Sequence, residues 1–437
     1  MSLIHPAGNT CAVGELDLHA LPITQKDILK TIPVVRTTNN ALTNTTTSFD
    51  FTFEPTNNYT DLSEVLLYLE YTVEDEDGTA LTAAVEAAPV NNILHTIFAN
   101  VQLLINGEKV TGNYEQYPYK AYITDLIATE HRDKKTRMEG CQKWIPDTPG
   151  QMDTRGAANS GWTKRRTDSS GDERKAVIGR PHLDMLHQCK LLPSHCELRF
   201  IFERSTNLFS LNQAADQDFS VVIKKAEMCL RQVLVRDEVV EVHNKSVMDP
   251  RMGAFNYPIS RSKVIKHTLP QGSQDYTFSL PDTSQIPTRL IFGLVKESAA
   301  AGSKTENPFN FQHYNIRETK VQFDDQKFEI KTNFTTGNVV QAFSRLYKET
   351  GIEATGLDCG IDLRAFKNGY TLLAFDLTPD RTPEDARINL LRQGKVTVSM
   401  KFGTALPHPV SVICLSSYDN LIQLTADRLP VTDYVMS

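Results

Sequence analysis

The sequence predicts an all-β protein of two tandem eight-stranded antiparallel jelly rolls with short helices in the loops. Apolar residues alternate with polar ones along many segments, few segments have a helical period, and a hairpin followed by a helix occurs twice, about 220 residues apart. The 437-residue length favours two cores, because a single hydrophobic core seldom grows that large.

The alternation has the two-residue period of a strand with one buried face. These segments are rich in β-branched and aromatic residues and are bounded by Gly, Pro, Asn and Asp, so their composition also favours strands. The residues expected to point into a core are Phe49, Phe51 and Phe53; Val65, Leu67, Leu69, Tyr71 and Val73; Leu198, Phe200 and Phe202; Tyr276, Phe278 and Leu280; and Val396, Val398, Met400 and Phe402.

Only two segments of any length have the three- and four-residue spacing of an amphipathic helix, residues 115–130 and 338–349. Each follows a predicted hairpin. The hairpins are residues 101–110, with Asn106-Gly107 at the turn, and residues 321–330, with Asp324-Asp325 near the middle. Because hairpin and helix recur together at half the chain length, we predict two copies of one architecture.

The strand pattern is interrupted between His243 and Met252, which predicts the domain boundary. This gives an N-terminal arm of residues 1–31, a first jelly roll of residues 32–243 and a second of residues 252–437. The arm has little alternation but contains apolar residues, so it either orders against a neighbouring subunit or packs on its own domain.

Two long polar insertions, residues 139–179 and 298–315, are expected at the ends of the sandwiches, where partners reach them. Each half is too large for an immunoglobulin-like sandwich and suits a jelly roll.

Composition restricts the classes of function. The formal net charge is −7, with both signs mixed along the chain, which argues against a dedicated nucleic-acid binder. No apolar stretch long enough to span a membrane and no secretory signal pattern is present, so we expect folding inside a cell. The seven scattered cysteines predict free thiols.

Catalytic signatures are largely missing from the sequence, which has no nucleophile elbow, phosphate-binding loop, dinucleotide fingerprint or zinc-protease motif. We therefore predict no enzyme activity, no catalytic residues and no cofactor. The scattered carboxylates Asp358, Asp362 and Asp376 are interpreted as surface charge, and Lys164-Arg165-Arg166 as part of a solvated loop rather than a nucleic-acid contact or import signal.

One segment has six potential metal ligands within fifteen residues: His182, Asp184, His187, Cys189, His195 and Cys196. Their spacing matches none of the usual zinc patterns. The segment is interpreted as two strands joined at Leu192-Pro193-Ser194, which would send alternate side chains to opposite faces. We therefore predict no metal site there.

Several segments resemble the hexon-like major capsid proteins of adinto-like viruses and Polinton (Maverick) elements, and the resemblance covers nearly the whole chain. The matching segments, in order, are Glu15-Leu16-Asp17-Leu18, Pro22-Ile23-Thr24-Gln25, Pro89-Val90-Asn91-Asn92-Ile93-Leu94-His95, Tyr119-Lys120-Ala121-Tyr122-Ile123, Gly161-Trp162-Thr163-Lys164-Arg165-Arg166, Asn307-Pro308-Phe309-Asn310-Phe311, Ala405-Leu406-Pro407 and Tyr418-Asp419-Asn420. His19 and Ile23 depart from the family's arm pattern.

The resemblance implies a double jelly-roll subunit that forms a homotrimer of pseudo-hexameric outline and tiles an icosahedral shell around a double-stranded DNA genome. It implies as partners neighbouring capsomers, penton and minor capsid proteins, with at most non-specific DNA contact, and the virion as location. It transfers no catalytic residue. One alternative is a jelly-roll carbohydrate- or receptor-binding protein, which would use exposed aromatic residues such as Trp144 and Trp162. Another is a two-domain jelly-roll hydrolase.

Overall fold

The computed structural model describes residues 18–19, 21–40, 42–43, 45–82, 84–111, 116–251, 253–281, 284–379 and 388–433. Strands of the first half are β1 (Ile28–Thr37), β2 (Ser48–Phe53), β3 (Tyr59–Glu74), β4 (Ala87–Pro89), β5 (Phe98–Ile105), β6 (Glu108–Lys109), β7 (Lys175–Gly179), β8 (Leu198–Arg204), β9 (Leu211–Gln213) and β10 (Ser220–Val235). Those of the second half are β11 (Phe255–Leu269), β12 (Asp275–Ser279), β13 (Arg289–Lys296), β14 (Ile316–Phe323), β15 (Gln326–Lys331), β16 (Leu372–Asp376), β17 (Thr397–Phe402), β18 (Val410–Leu424) and β19 (Pro430–Thr432).

The helices lie between the strands. They are α1 (Ile93–Thr96), α2 (Tyr117–Ala128), α3 (His131–Asp133), α4 (Glu139–Gln142), α5 (Ser160–Ser169), α6 (Asn207–Ser210), α7 (Asp237–Met248), α8 (Glu297–Ala301), α9 (Val340–Glu349), α10 (Ile352–Thr355) and α11 (Leu363–Lys367), with a π-helix at Lys134–Met138 and a 3-10 helix at Asp184–His187. None of the helices in the described ranges is long and apolar enough to cross a membrane.

Both halves have the same strand order. In the first half the sheet β1-β10-β3-β7 packs against the sheet β2-β8-β5-β6, with a small β4-β9 pair beside them. In the second half β11-β18-β13-β16 packs against β12-β17-β14-β15, and β19 adds to β18. If β4, β9 and β19 are left out, the strands of each half can be numbered from one to eight in chain order. In both halves one sheet then has the spatial order first, eighth, third, sixth. The predicted double jelly roll is therefore confirmed.

Alternation along the strands produces these sheets. In β8, Leu198, Phe200 and Phe202 are buried and Arg199 between them is exposed. Phe202 stands opposite Phe49 of β2, and their rings stack at a centroid distance of 5.6 Å. Burying such aromatic side chains contributes most of the driving force for the sandwich.

The repeated hairpin and helix occupy equivalent places in the two lobes. β5 turns into β6 at Asn106 and Gly107, whose φ angles are 50° and 83°, as a two-residue hairpin turn requires. β14 turns into β15 with Asp324 at φ 47°. Helices α2 and α9 then follow, so both predicted helices are confirmed.

The two cores are interlocked rather than separate. Residues of α2 and of the insertion after it, including Tyr122 and Trp144, belong to the core of the second lobe. In return, Tyr257 of β11 and Ile422 of β18 are buried in the core of the first lobe. Because neither core is complete without side chains from the other half, the two lobes form one block.

The prediction of only two helices is wrong, since α5 and α7 are 10 and 12 residues long. Helix α5 has few apolar residues and therefore no apolar stripe, although Asn159 caps it by accepting a hydrogen bond from the Trp162 amide. Helix α7 is rich in valine, a β-branched residue with low helix propensity, so its sequence does not indicate a helix. Asp237 and Glu238 in its first turn are nevertheless typical of a helix N-terminus.

The predicted ends of the arm and of the first jelly roll both fall inside elements of secondary structure. β1 begins at Ile28, so the last four residues of the predicted arm belong to a strand that pairs with β10. Residues 1–17 and 20 of the arm lie outside the described residues. The predicted boundary between the jelly rolls falls at the end of α7 and the turn before β11.

Candidate functional site

The insertions predicted to face outward instead meet between the two lobes. The first, residues 139–179, contains α5 and the strand β7, and both tryptophans in it are buried. The second, residues 298–315, carries Asn307 and Phe309, which are also buried. We call the contact between these segments and α2 the inter-lobe junction.

Asp147 is the polar centre of the junction. Its Oδ1 accepts hydrogen bonds from Arg165 Nη2 at 2.6 Å and Asn159 Nδ2 at 2.8 Å. Its Oδ2 accepts one from Asn307 Nδ2 of the second lobe at 2.8 Å, and Tyr370 Oη donates to its backbone carbonyl at 2.9 Å. The Asp147 and Arg165 side chains are only 1% and 3% exposed, so this charge pair is desolvated and also satisfied.

Arg165 has further fixed partners. Its Nε donates to the Pro89 carbonyl at 2.7 Å, and its Nη1 donates to the Ile145 carbonyl. The interpretation of residues 164–166 as a solvated loop is therefore wrong for Arg165. Lys164 pairs with Glu139, and the Arg166 guanidinium lies 5.2 Å from the centre of the Trp162 ring.

An aromatic stack forms the apolar part of the junction. Phe309 of the second lobe stacks on Tyr122 of α2 with centroids 4.0 Å apart and planes 2° from parallel. The Trp144 ring also stacks on Tyr122, with the ring centroids 5.2 Å apart. Tyr119 packs edge to face against Phe309. The segments that carried the family resemblance thus contact one another here, although they are far apart in sequence.

The burial of Trp144 and Trp162 bears on the carbohydrate-binding alternative. Both rings are at most 2% exposed, and Trp162 Nε1 donates to the Asn212 carbonyl inside the protein. They offer no exposed platform for a sugar ring. The two tryptophans that supported the carbohydrate-binding alternative are therefore not available to stack against a sugar.

The predicted two-strand conformation of residues 182–196 is wrong. Residues 184–187 form a 3-10 helix, and β8 begins only at Leu198. The six potential ligands disperse: Asp184 pairs with buried Lys120 at 2.6 Å, Cys189 is exposed, and Cys196 is buried. All six cysteines in the described ranges are free; Cys11 lies outside them.

The three carboxylates interpreted as surface charge differ in their surroundings. Asp362 caps α11 by accepting from the Ala365 amide at 2.6 Å, and Asp358 accepts from the Gly360 amide at 2.8 Å. Asp376 is only 2% exposed and accepts hydrogen bonds from Thr378, so the surface interpretation is wrong for this residue.

His182 lies beside Asp125 and His95, which nothing in the sequence groups with it. Its Nε2 lies 3.0 Å from Asp125 Oδ1, and His95 Nε2 lies 4.0 Å from Asp125 Oδ2. Within the described part of the chain this is the one group of three such side chains whose ligand atoms could surround an ion.

Burial and the neighbouring groups together determine the protonation states of His95 and Asp125. Burial lowers the pKa of His95 to about 3, helped by nearby His182, so His95 is neutral near pH 7. Burial alone would raise the pKa of Asp125, but His182, His95 and Asn92 outweigh it and hold the pKa at about 2. Asp125 is therefore a carboxylate at any physiological pH.

The architecture defines the chain as a double jelly-roll protein, and solved structures agree. No protein-family model matches it. A chain of the Sputnik virophage, solved by cryo-EM, superimposes with a TM-score of 0.65 at 13% identity, covering 100% of this chain and 95% of that one. The mavirus major capsid protein gives 0.55 at 12% identity, covering 100% and 96%, and the Faustovirus major capsid protein 0.55 at 8%, covering 92% of each.

A curated protein is similar to this chain in sequence. It is an uncharacterised protein, F54H12.2, of Caenorhabditis elegans, 23% identical over 394 residues, which span 86% of this chain and 91% of the relative. At these identities the likeness to the solved structures shows the shared fold.

Proposed function

We propose that this protein is a major capsid protein, a structural subunit without enzyme activity. The observation that carries the proposal is the repetition of one eight-strand order in two lobes whose cores interlock. Such a block presents two similar sandwiches in a fixed relation. The structures it resembles include proteins named as the major capsid proteins of mavirus and Faustovirus, which supports the same role here.

Three copies of this block around a threefold axis would place six similar jelly rolls in a ring. The resulting homotrimer has a pseudo-hexameric outline and fills a sixfold position in an icosahedral shell. The sheets pair most of their strand edges, which limits unwanted strand addition at the high local concentrations of assembly. Many weak contacts between neighbouring capsomers then sum to a stable shell.

We further propose the partners and location that the resemblance to Polinton and adinto-like capsid proteins implies. These are neighbouring capsomers, penton and minor capsid proteins, and a virion assembled inside the host cell around double-stranded DNA. The net charge of −7 fits at most non-specific contact with the packaged DNA. A relative of similar length in a nematode supports an element resident in animal genomes.

The arm is proposed to contact neighbouring subunits. Leu18, Leu21 and Ile23 are 84%, 90% and 105% exposed in the single chain, which is costly for apolar side chains unless another surface covers them. Deleting residues 1–26 spares β1 and leaves Asp27, whose carbonyl accepts from the Arg236 amide at 2.9 Å. We expect the truncated protein to form trimers but not shells, and normal shells would refute this role.

Mass and imaging measurements test the main proposal. We expect light scattering and native mass spectrometry of the purified chain to give three times its 49.0 kDa mass, and negative-stain images to show hexagonal particles that assemble further. A protein that stays monomeric at every concentration and salt condition would contradict the proposal and favour a binding protein on the same fold. Glycan-array binding would then test that alternative.

A further inference from the structure

We propose that His95, Asp125 and His182 form a binding site for one divalent transition-metal ion of the zinc class, which braces the first lobe next to the inter-lobe junction. The ligand atoms of the three side chains all lie within 4.8 Å of one another. Two imidazoles and one carboxylate are a donor set that zinc accepts with three protein ligands and a water.

The ligand atoms, which lie within 4.8 Å of one another, would have to close by up to about 1.5 Å around an ion. Tetrahedral zinc with bonds of about 2.0–2.1 Å places its ligand atoms roughly 3.3 Å apart. His182 Nε2 is 3.0 Å and His95 Nε2 is 4.0 Å from the Asp125 carboxylate oxygens, values on either side of that spacing. The side chains are between 2% and 9% exposed, so an ion there would be shielded from competing solvent.

An unsatisfied atom points independently to a ligand. His95 Nε2 is buried and has no hydrogen-bond partner, because 4.0 Å to Asp125 is too long for one. A buried polar nitrogen without a partner destabilises the fold, and a metal ion bound to its lone pair would remove that cost. An ion pair between His182 and Asp125 alone leaves His95 Nε2 unexplained.

Hydrogen bonds orient two of the three ligands, His95 and Asp125, as metal sites require, whereas His182 Nδ1 is buried without a partner. His95 Nδ1 lies 2.9 Å from Tyr117 Oη, which also accepts from the His182 amide at 3.1 Å. With its proton on Nδ1, His95 donates to Tyr117 and keeps the Nε2 lone pair free. Asn92 Nδ2 donates to Asp125 Oδ2 at 2.7 Å and fixes the carboxylate.

The group is also accessible from outside. Asp125 and His182 line a cavity of about 610 Å³, together with Cys141, Met138 and His187. An ion and a coordinating water can enter from this side. The three ligands come from α1, α2 and the segment before the 3-10 helix, so the ion would tie together three elements that no strand pairing connects.

The test uses the untagged full chain, stripped with chelator and then dialysed against Zn²⁺, with bound metal measured by mass spectrometry. We expect one ion per chain, and Co²⁺ in its place should give the visible absorption of a tetrahedral site. Binding should weaken at least about tenfold in His182→Ala and Asp125→Asn. His187→Ala is the matched control, since its imidazole lines the same cavity but is outside the group.

Each outcome decides the proposal. A wild-type chain that retains no ion after dialysis overturns it, as does a loss of binding in His187→Ala equal to that in His182→Ala. If the ligand variants do not fold, as judged by circular dichroism, Tyr117→Phe replaces them. It removes only the hydroxyl that orients His95 and should weaken binding about 10–100-fold; unchanged affinity there would also refute the site.

Discussion

Replacing Asp147 by Asn tests whether the inter-lobe junction holds the two jelly rolls together. The amide keeps the size of the carboxylate but removes its charge, so buried Arg165 loses its only ion-pair partner among the described residues. An amide also has one acceptor oxygen where the carboxylate has two. It therefore cannot serve Arg165 and Asn159 on one side and Asn307 on the other.

The expected loss is large. Breaking a buried ion pair by removing one charge costs about 3–5 kcal/mol, because the remaining charge stays desolvated. Asp133→Asn is the control, since its pair with Arg137 lies on the surface with side chains 30% and 60% exposed. Such a pair contributes less than about 1 kcal/mol.

Denaturant unfolding monitored by two signals is the assay. Trp144 and Trp162, the only tryptophans of the chain, both lie in the insertion that forms the junction, so tryptophan fluorescence reports on it directly. Far-UV circular dichroism reports on all the sheets. In Asp147→Asn we expect the fluorescence transition to move to lower denaturant and to precede the loss of sheet signal.

The reasoning would be refuted by two results. One is a change in the free energy of unfolding no larger than that of Asp133→Asn. The other is a large change in which both signals still coincide, because that would place the effect on the whole chain rather than on the junction.

Three further predictions concern other positions. In Gly161→Ala the new Cβ would lie 2.0 Å from the Pro146 carbonyl oxygen, so we expect the free energy of unfolding to fall by at least about 1–3 kcal/mol. Gly140→Ala is the control: its new Cβ would have no atom within 4 Å, and the free energy of unfolding should rise by about 0.5–1 kcal/mol. Burial lowers the pKa of Lys134 to about 8. Between pH 8 and 10 the unfolded chain holds a proton that the folded one has released, so stability relative to Lys134→Met should rise by about 1.4 kcal/mol per pH unit. In a thiol-reagent assay exposed Cys189 should react fast, and buried Cys196, whose pKa burial raises to about 12, should react only on unfolding.

Each of these predictions has a contradicting result. Equal effects of the two glycine substitutions would show that the contact of α5 with Pro146 is not tight. A difference between wild type and Lys134→Met that is constant with pH would mean that Lys134 titrates normally. Fast modification of Cys196 in the folded protein would show that its pocket opens readily.

The sequence predicted most of the secondary structure because the information is local. Phe200 and its neighbours alternate with polar residues, and Asn106-Gly107 specifies its turn, so both can be recognised within ten residues. The internal duplication was also accessible, because a hairpin followed by a helix repeats at a fixed distance. The family resemblance pointed to the same fold from scattered short segments.

Only the tertiary structure decided what the polar insertions do. Arg165 and Asp147 look like solvated charges in the sequence, and only their burial against Asn307 makes them the centre of the junction. The same holds for His95, Asp125 and His182, which lie on separate elements. Side chains distant in sequence meet only when the chain packs, and no local period encodes such a meeting. This is why the strands were predictable from the sequence, while the inter-lobe junction and the grouping of these three side chains were not.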